Sequence, residues 1–192
     1  MSNVLDYKDP PRRSELHDGK IVMMAPPSTI HARISARITG IFTNYLKGKK
    51  CEYLPESHLR YDKLKRRYIP DGMVVCDPDI IKNNGVVGTP DLVIEIISPS
   101  SFKHDRGHKK DVYEEIGVKE YWIVHPNDKA IEVQVLKDGK FVLGGAHAVI
   151  EQWVIDEMTE DEIDDISTKF SPTIFDDLVV DLEDIFEDIQ LN

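Results

Sequence analysis

The stretch PDLVIEIISPSS, residues 90–101, sets two carboxylates, Asp91 and Glu95, into what otherwise reads as a buried strand. Side chains alternate along a strand, so Asp91, Val93, Glu95 and Ile97 project to one face and Leu92, Ile94 and Ile96 to the other. Four residues at about 3.3 Å each put the two acids about 13 Å apart, too far to share one ion unless the strand bends where it begins. An ionised carboxylate buried without a partner is strongly destabilising, so Glu95 in mid-strand requires a cation, a metal or a hydrogen-bond donor beside it.

A further acid, Asp71, stands in IPDGMVVCD, 24 residues before Glu95 and just ahead of the apolar run Met73 to Val75. One acid from each of two neighbouring strands can converge on a hard divalent cation such as Mg²⁺ (or Mn²⁺), which takes one or two carboxylates and completes its octahedron with water and substrate phosphate. Such a donor set suits phosphodiester hydrolysis. The metal lowers the pKa of an attacking water and screens the phosphate, while a nearby lysine orients the water or neutralises developing charge. Each acid also has a structural reading: Asp71 between Pro70 and Gly72 suits a turn, and Asp91 after Pro90 suits a strand start. Glu95, among Val93, Ile94, Ile96 and Ile97, has the least structural reason to be there.

These residues need elements to hold them. ELHDGKIVMM, residues 15–24, reads as a hairpin about Asp18-Gly19. From Thr29 to Leu46 the residues Ile30, Ile34, Ile38, Ile41, Phe42 and Tyr45 recur every three or four positions behind a Ser28 N-cap, which predicts an amphipathic helix ending near Gly48. Strands are expected at 51–61, 68–76 and 91–98, the last central and covered on both faces. A helix over 102–116 ending at Gly117 and an apolar strand at 121–126 make a strand–helix–strand unit, hence a right-handed parallel crossover. Residues 130–143 alternate about Lys137-Asp138-Gly139 as a second hairpin, and SPTIFDDLVVDLEDIF packs its aliphatics back on the body.

The chain has 192 residues, enough for one domain (1–192) with an ordinary core and no need of disulfides. Cys51 and Cys76 lack CxxC spacing, and the N-terminal stretch carries no apolar run that could serve as a signal peptide or membrane span, so a soluble protein of a reducing cytoplasm is expected. The formal charge of −11 is uneven: residues 151–192 hold 15 acids against one lysine, leaving 20 acids against 23 Lys and Arg in residues 1–150. In that mildly basic body Lys47, Lys49, Lys50, Lys63, Lys65, Arg66 and Arg67 could form a nucleic-acid face, or two solvated loops. No GxGxxG, Walker lysine motif or GxSxG elbow is present, His104, His108 and His125 lack zinc spacing, and DEMTEDEIDD at 156–165 lacks the spaced ligands and glycine of an EF-hand.

Pro70-Asp71 and Glu95 resemble the PD and (D/E) of the PD-(D/E)xK restriction-endonuclease-like nucleases, with one departure: the lysine expected two residues after the glutamate is Ile97. Over residues 7–186 the chain resembles more closely the Uma-two family of putative restriction endonucleases. The matching stretches are HDGKIVMMAPPSTIHARI, IPDGMVVCD, TPDLVIEIISPSS, DRGHKKDVYEEIGVKEYWIVHP and SPTIFDDLVVDLEDIF. In that family the catalytic lysine has migrated to the following helix, four residues before a tyrosine, which implies Lys109 ahead of Tyr113. The resemblance thus implies Asp71 and Glu95 as metal ligands with the Ile96 backbone carbonyl, Lys109 as catalytic lysine, and Asp91, Asp105, Tyr113, His31 and Glu15 as supporting residues. Asp105, Lys109 and Tyr113 fall on one helical face at i, i+4 spacing. It also implies an α/β (α+β) fold with a restriction-endonuclease-like core, in which a mixed central sheet is flanked by helices, with N-terminal and C-terminal β-hairpins. The expected function is metal-dependent DNA cleavage, by a homodimer as restriction-like enzymes often are. The alternative is a catalytically silent nucleic-acid-binding or assembly protein on the same fold.

Overall fold

The computed structural model describes residues 13–61, 65–98, 105–159 and 167–189. The opening hairpin pairs β1 (Ser14–His17) with β2 (Lys20–Met23), and its turn residues Asp18 and Gly19 take the two positive φ values, 48° and 83°, of a type I′ turn. Helix α1 (Thr29–Leu46) begins where Ser28 Oγ accepts the His31 N–H, and it buries Ile34, Ile38, Phe42 and Leu46 as one stripe.

Two segments expected as single strands are each divided. Residues 51–61 form β3 (Glu52–Pro55) and β4 (Leu59–Tyr61), and residues 66–75 form β5 (Arg66–Tyr68) and β6 (Gly72–Val75). Glu56 has φ 41°, and Pro55 and Pro70 have no N–H to give a ladder, so the chain turns at both places and sends each half to a different sheet. Strands β7 (Ile81–Lys82) and β8 (Gly85–Val87) complete the first sheet, whose order is β2-β1-β5-β4-β8-β7.

The second sheet is built on β9 (Leu92–Ile96), β10 (Glu120–His125), β11 (Ala130–Lys137) and β12 (Lys140–Ala148), in the order β12-β11-β10-β9-β6-β3. Here β9 and β10 run parallel and the other neighbours antiparallel, so the sheet is mixed, as expected. The β9–β10 crossover contains a π-helical turn, Asp105–Lys109, leading into α2 (Lys110–Glu115), after which Gly117 at φ 83° lets the chain reverse. The second hairpin, β11–β12, also turns on a positive-φ pair, Asp138 and Gly139.

All five residues of β9 are buried. Leu92, Ile94 and Ile96 pack with Trp122 and Val124 beneath α1, while Val93 and Ile97 pack with Met73, Tyr121 and Ile123 against Leu59, Tyr68 and Val86 of the first sheet and Val112 and Tyr113 of α2. The chain then passes through α3 (Gln152–Ile155), β13 (Lys169–Phe170), β14 (Val180–Asp181) and α4 (Leu182–Phe186). Leu178, Val180, Leu182, Ile185 and Phe186 return to the α1 side of the core. Fully buried Glu120 ties this return to β10, accepting from Trp122 Nε1 at 2.5 Å and from the Thr173 N–H at 2.6 Å. Arg33 and Arg37 of α1 donate to the carbonyls of Asp188 and Ile185. Part of the acidic run, 160–166, lies outside the described residues. Among those described, no helix is long and apolar enough to cross a membrane.

The sequence shows no need of a disulfide, yet Cys51 and Cys76 form one. The β3–β6 register, Glu52 opposite Val75, brings the two cysteines face to face just beyond the last pair, which a separation of 25 residues in sequence does not reveal. Cross-linking a loop of that size constrains the unfolded chain by roughly 3–4 kcal/mol. Reduction, or Cys51→Ser, should lower stability by an amount of that order, read as a shift of the urea midpoint with and without reductant.

Candidate active site

Glu95 is 2% exposed and lies on the face of β9 that meets α2 and the first sheet. Its donors come from the crossover. Lys109, the last residue of the π-helical turn, places Nζ 3.0 Å from Glu95 Oε1, and Tyr113, one turn later on α2, donates its hydroxyl to the same oxygen at 2.6 Å. The i, i+4 spacing therefore puts both groups over one carboxylate. Burial, then the Glu95 and Glu15 charges, push the Tyr113 phenol well above its ordinary range, so it stays a donor.

Asp71 stands one strand away, immediately before β6. Gly72 pairs with Ile94, so the β6 ladder ends short of Ile96, and Asp71 Oδ2 accepts the Ile96 N–H at 2.6 Å in place of a backbone carbonyl. The carbonyl of a strand residue points to the same side as its N–H, which turns the Ile96 carbonyl toward Asp71 as well. A larger residue at position 72 would displace Tyr53, because a Cβ there would lie 2.0 Å from Tyr53 Oη. His31, on the first turn of α1, places Nε2 3.1 Å from Asp71 Oδ1.

Glu15 reaches the site from the other sheet. Its Oε1 lies 3.0 Å from Lys109 Nζ and accepts the Ile69 N–H at 3.0 Å, while Oε2 lies 2.7 Å from His17 Nε2. Burial raises the Glu15 carboxyl, but the His17 hydrogen bond, the Lys109 charge and the Ile69 N–H outweigh it and bring the pKa to about 2. His17 stacks on His108 at 5.1 Å, and His108 Nε2 lies 3.1 Å from the Tyr68 hydroxyl, so a polar chain runs from Glu15 toward the surface.

Asp71, Glu95, Lys109, Tyr113, His31 and Glu15 are thus brought to one region. Asp91 is not: at the other end of β9 it accepts the Cys76 N–H at 2.8 Å and Lys119 Nζ at 2.7 Å, the work of a strand-start residue. Of Asp105 only the backbone is described, and the start of the expected helix, 102–104, lies outside the described residues. His17 and Tyr68 went unread in the sequence, although Glu-x-His on one strand signals a shared face, and His108 was weighed only as a zinc ligand. Part of the charge of the proposed basic face is paired. Arg66 is held by Asp18 at 2.5 Å and Glu115 at 2.6 Å, Lys49 is held by Asp177 at 3.2 Å, and Lys63 is outside the described set.

Among the described residues no three His, Cys, Asp or Glu side chains converge as a preformed metal cage. The donors present are oxygen-rich, two carboxylates with a strand carbonyl beside them. They fit Mg²⁺ or Mn²⁺, which leave most positions to water and phosphate, better than zinc.

A two-sheet α+β scaffold with acids on adjacent strands and a lysine over them defines a restriction-endonuclease-like protein. Residues 2–162 match the family described as "Uma2: Putative restriction endonuclease", and the chain belongs to that family. An uncharacterized protein of Synechocystis sp., slr1290, is 36% identical over 103 residues, which are 53% of this chain and 54% of that protein. The chain spans about half the length of this curated relative. The crystal structure of "a putative nuclease belonging to DUF820" from Anabaena variabilis superposes with a TM-score of 0.69 over 92% of this chain and 91% of that one, at 17% identity, which shows the fold.

Two outcomes test this electrostatic arrangement. Lys109→Met leaves Glu15 and Glu95 buried without their shared cation and should cost about 3–5 kcal/mol in denaturant unfolding. Glu15 has a folded pKa of about 2 against an ordinary 4.5, so its stabilisation is complete above the unfolded value and is lost as pH falls toward 2. The stability gap between wild type and Glu15→Gln, on the order of 3 kcal/mol near neutrality, should therefore shrink in urea titrations run from about pH 5 down to about pH 3.

Proposed function

We propose that the protein is a phosphodiesterase that cleaves DNA with Mg²⁺ or Mn²⁺. The observation that carries this reading is the convergence of Lys109 and Tyr113 on the buried Glu95, with Asp71 fixed one strand away against the Ile96 N–H. Asp71, Glu95 and the Ile96 carbonyl would hold the cation. When bound, it would supply a positive charge to the phosphate oxygens and acidify a water molecule.

The remaining work falls to the chain's own groups. Lys109 holds its protons at Nζ and can donate to the attacking water or a non-bridging phosphate oxygen, where charge develops. Tyr113 fixes the rotamer of Glu95 through the 2.6 Å bond to Oε1, and His31 does the same for Asp71 Oδ1. The apolar wall of Val93, Ile97, Val112 and Tyr121 lowers the local dielectric and strengthens each of these interactions. Family membership supports a nucleic-acid substrate, and DNA is the specific proposal.

The test combines Mn²⁺ calorimetry with cleavage of supercoiled and single-stranded DNA. Glu95→Ala should lose both metal binding and cleavage, and Lys109→Gln should cut slower by about two orders of magnitude or more. Undiminished cutting by Glu95→Ala would exclude the assignment. A wild type that binds nucleic acid but neither Mn²⁺ nor cuts would be a silent binding module instead.

A further inference from the structure

Glu15 is 3% exposed, lies on the sheet that carries neither Asp71 nor Glu95, and has no part in the reaction as drawn. Yet it lies as close to Lys109 as Glu95 does, 3.0 Å in each case. One ammonium is therefore shared by two carboxylates from opposite sheets. That sharing matters once Glu95 is asked to be a metal ligand. A carboxylate given over to a divalent cation has less charge to offer an ammonium, and the cation repels it. Lys109, 5% exposed, would then be a buried charge facing a like charge, an arrangement that drives a side chain out of its site.

Glu15 removes that conflict. The Ile69 N–H and His17 fix its two oxygens, and its low pKa keeps it anionic throughout the physiological range, so it offers Lys109 a partner that does not depend on Glu95. We propose that Glu15 is a positioning residue that keeps Lys109 at the site when Glu95 is committed to a divalent cation. The inference rests on the metal-dependent reading of Glu95 and adds a role that reading does not contain. It also accounts for a lysine carried by a helix rather than by the strand: a side chain arriving from above the sheet can be anchored from the facing sheet.

The experiment observes the lysine side-chain ammonium by ¹H–¹⁵N NMR, with and without Mg²⁺, in wild type and Glu15→Gln, the resonance being assigned by its absence in Lys109→Met. A buried, hydrogen-bonded ammonium exchanges protons slowly and gives a sharp signal, whereas one released to water does not. Wild type should keep the Lys109 signal in both states. Glu15→Gln should keep it without Mg²⁺, held by Glu95, and lose it when Mg²⁺ binds, while Glu15→Asp should retain it in both. Calorimetry on the same samples reports Mg²⁺ binding. Loss of the signal in wild type on binding, its persistence in Mg²⁺-bound Glu15→Gln, or its absence from Glu15→Gln before Mg²⁺ is added would each overturn the proposal. No binding heat in wild type would instead remove the metal reading and the proposal with it, an outcome recognised in the calorimeter before any spectrum is compared. Should Glu15→Gln not fold, His17→Gln keeps the carboxylate but loosens it, and should broaden the Lys109 signal only in the Mg²⁺-bound state.

Discussion

The ammonium of Lys109, held between Glu95 of one sheet and Glu15 of the other, is the contact on which the rest of this structure depends. Both carboxylates are buried, and the shared ammonium offsets part of the cost of holding their charge there. The requirement shapes the crossover. A chain leaving β9 must return across the sheet face within reach of Glu95 before it enters β10, and the π-helical turn at Asp105–Lys109 places the lysine just as the helix begins. Val112 and Tyr113 then pack on Val93 and Ile97, so the charged contact and the apolar one are made by the same short element.

The placement of Asp71 follows from how a ladder ends. Strand β6 stops pairing with β9 two residues before Ile96, which would leave a buried N–H without an acceptor. The Asp71 carboxylate takes that place and is thereby locked in orientation. Pro70 ends the preceding extended segment and Gly72 admits Tyr53 against the backbone, so the Pro-Asp-Gly sequence is a device for presenting one carboxylate at a strand terminus. Asp71 thus has a turn role and a site position at once, and the two readings of that residue are not exclusive.

What could be read from the sequence follows the range of the interactions concerned. The stripe of α1, the Asp-Gly hairpin turns and the two-sided burial of β9 are local patterns, and each is found where the sequence places it. The division into two sheets is not local. Strands such as Leu59–Tyr61 and Arg66–Tyr68, three residues each, are too short to carry a period, and only the proline breaks beside them hint that partners change. The gathering of Asp71, Glu95, Lys109 and Tyr113 was anticipated through family resemblance, because the burial of Glu95 states a need for a partner without saying which. The Glu15–Lys109 contact spans 94 positions and two sheets, and the Cys51–Cys76 bond depends on strand register; neither leaves a mark in spacing. Asp91 shows the converse: the alternation of the sequence puts it on the face of Glu95, yet it stands just before β9, where Cys76 and Lys119 take it.

The same geometry explains why position 97 is isoleucine. Its side chain shares a face with Glu95, but that face is closed by α2 and the first sheet, and Ile97 is 8% exposed among Val112, Tyr113 and Tyr121. A lysine there would have to hold its ammonium inside an apolar cluster while reaching back along the strand, at the desolvation cost of a buried charge. Delivered from the crossover instead, the ammonium of Lys109 meets Glu95 from above and Glu15 from the facing sheet, and strand position 97 is released to packing. The covering first sheet and the displaced lysine are therefore one arrangement: the sheet buries the strand position where a lysine would otherwise stand, and the lysine uses the anion that this sheet brings.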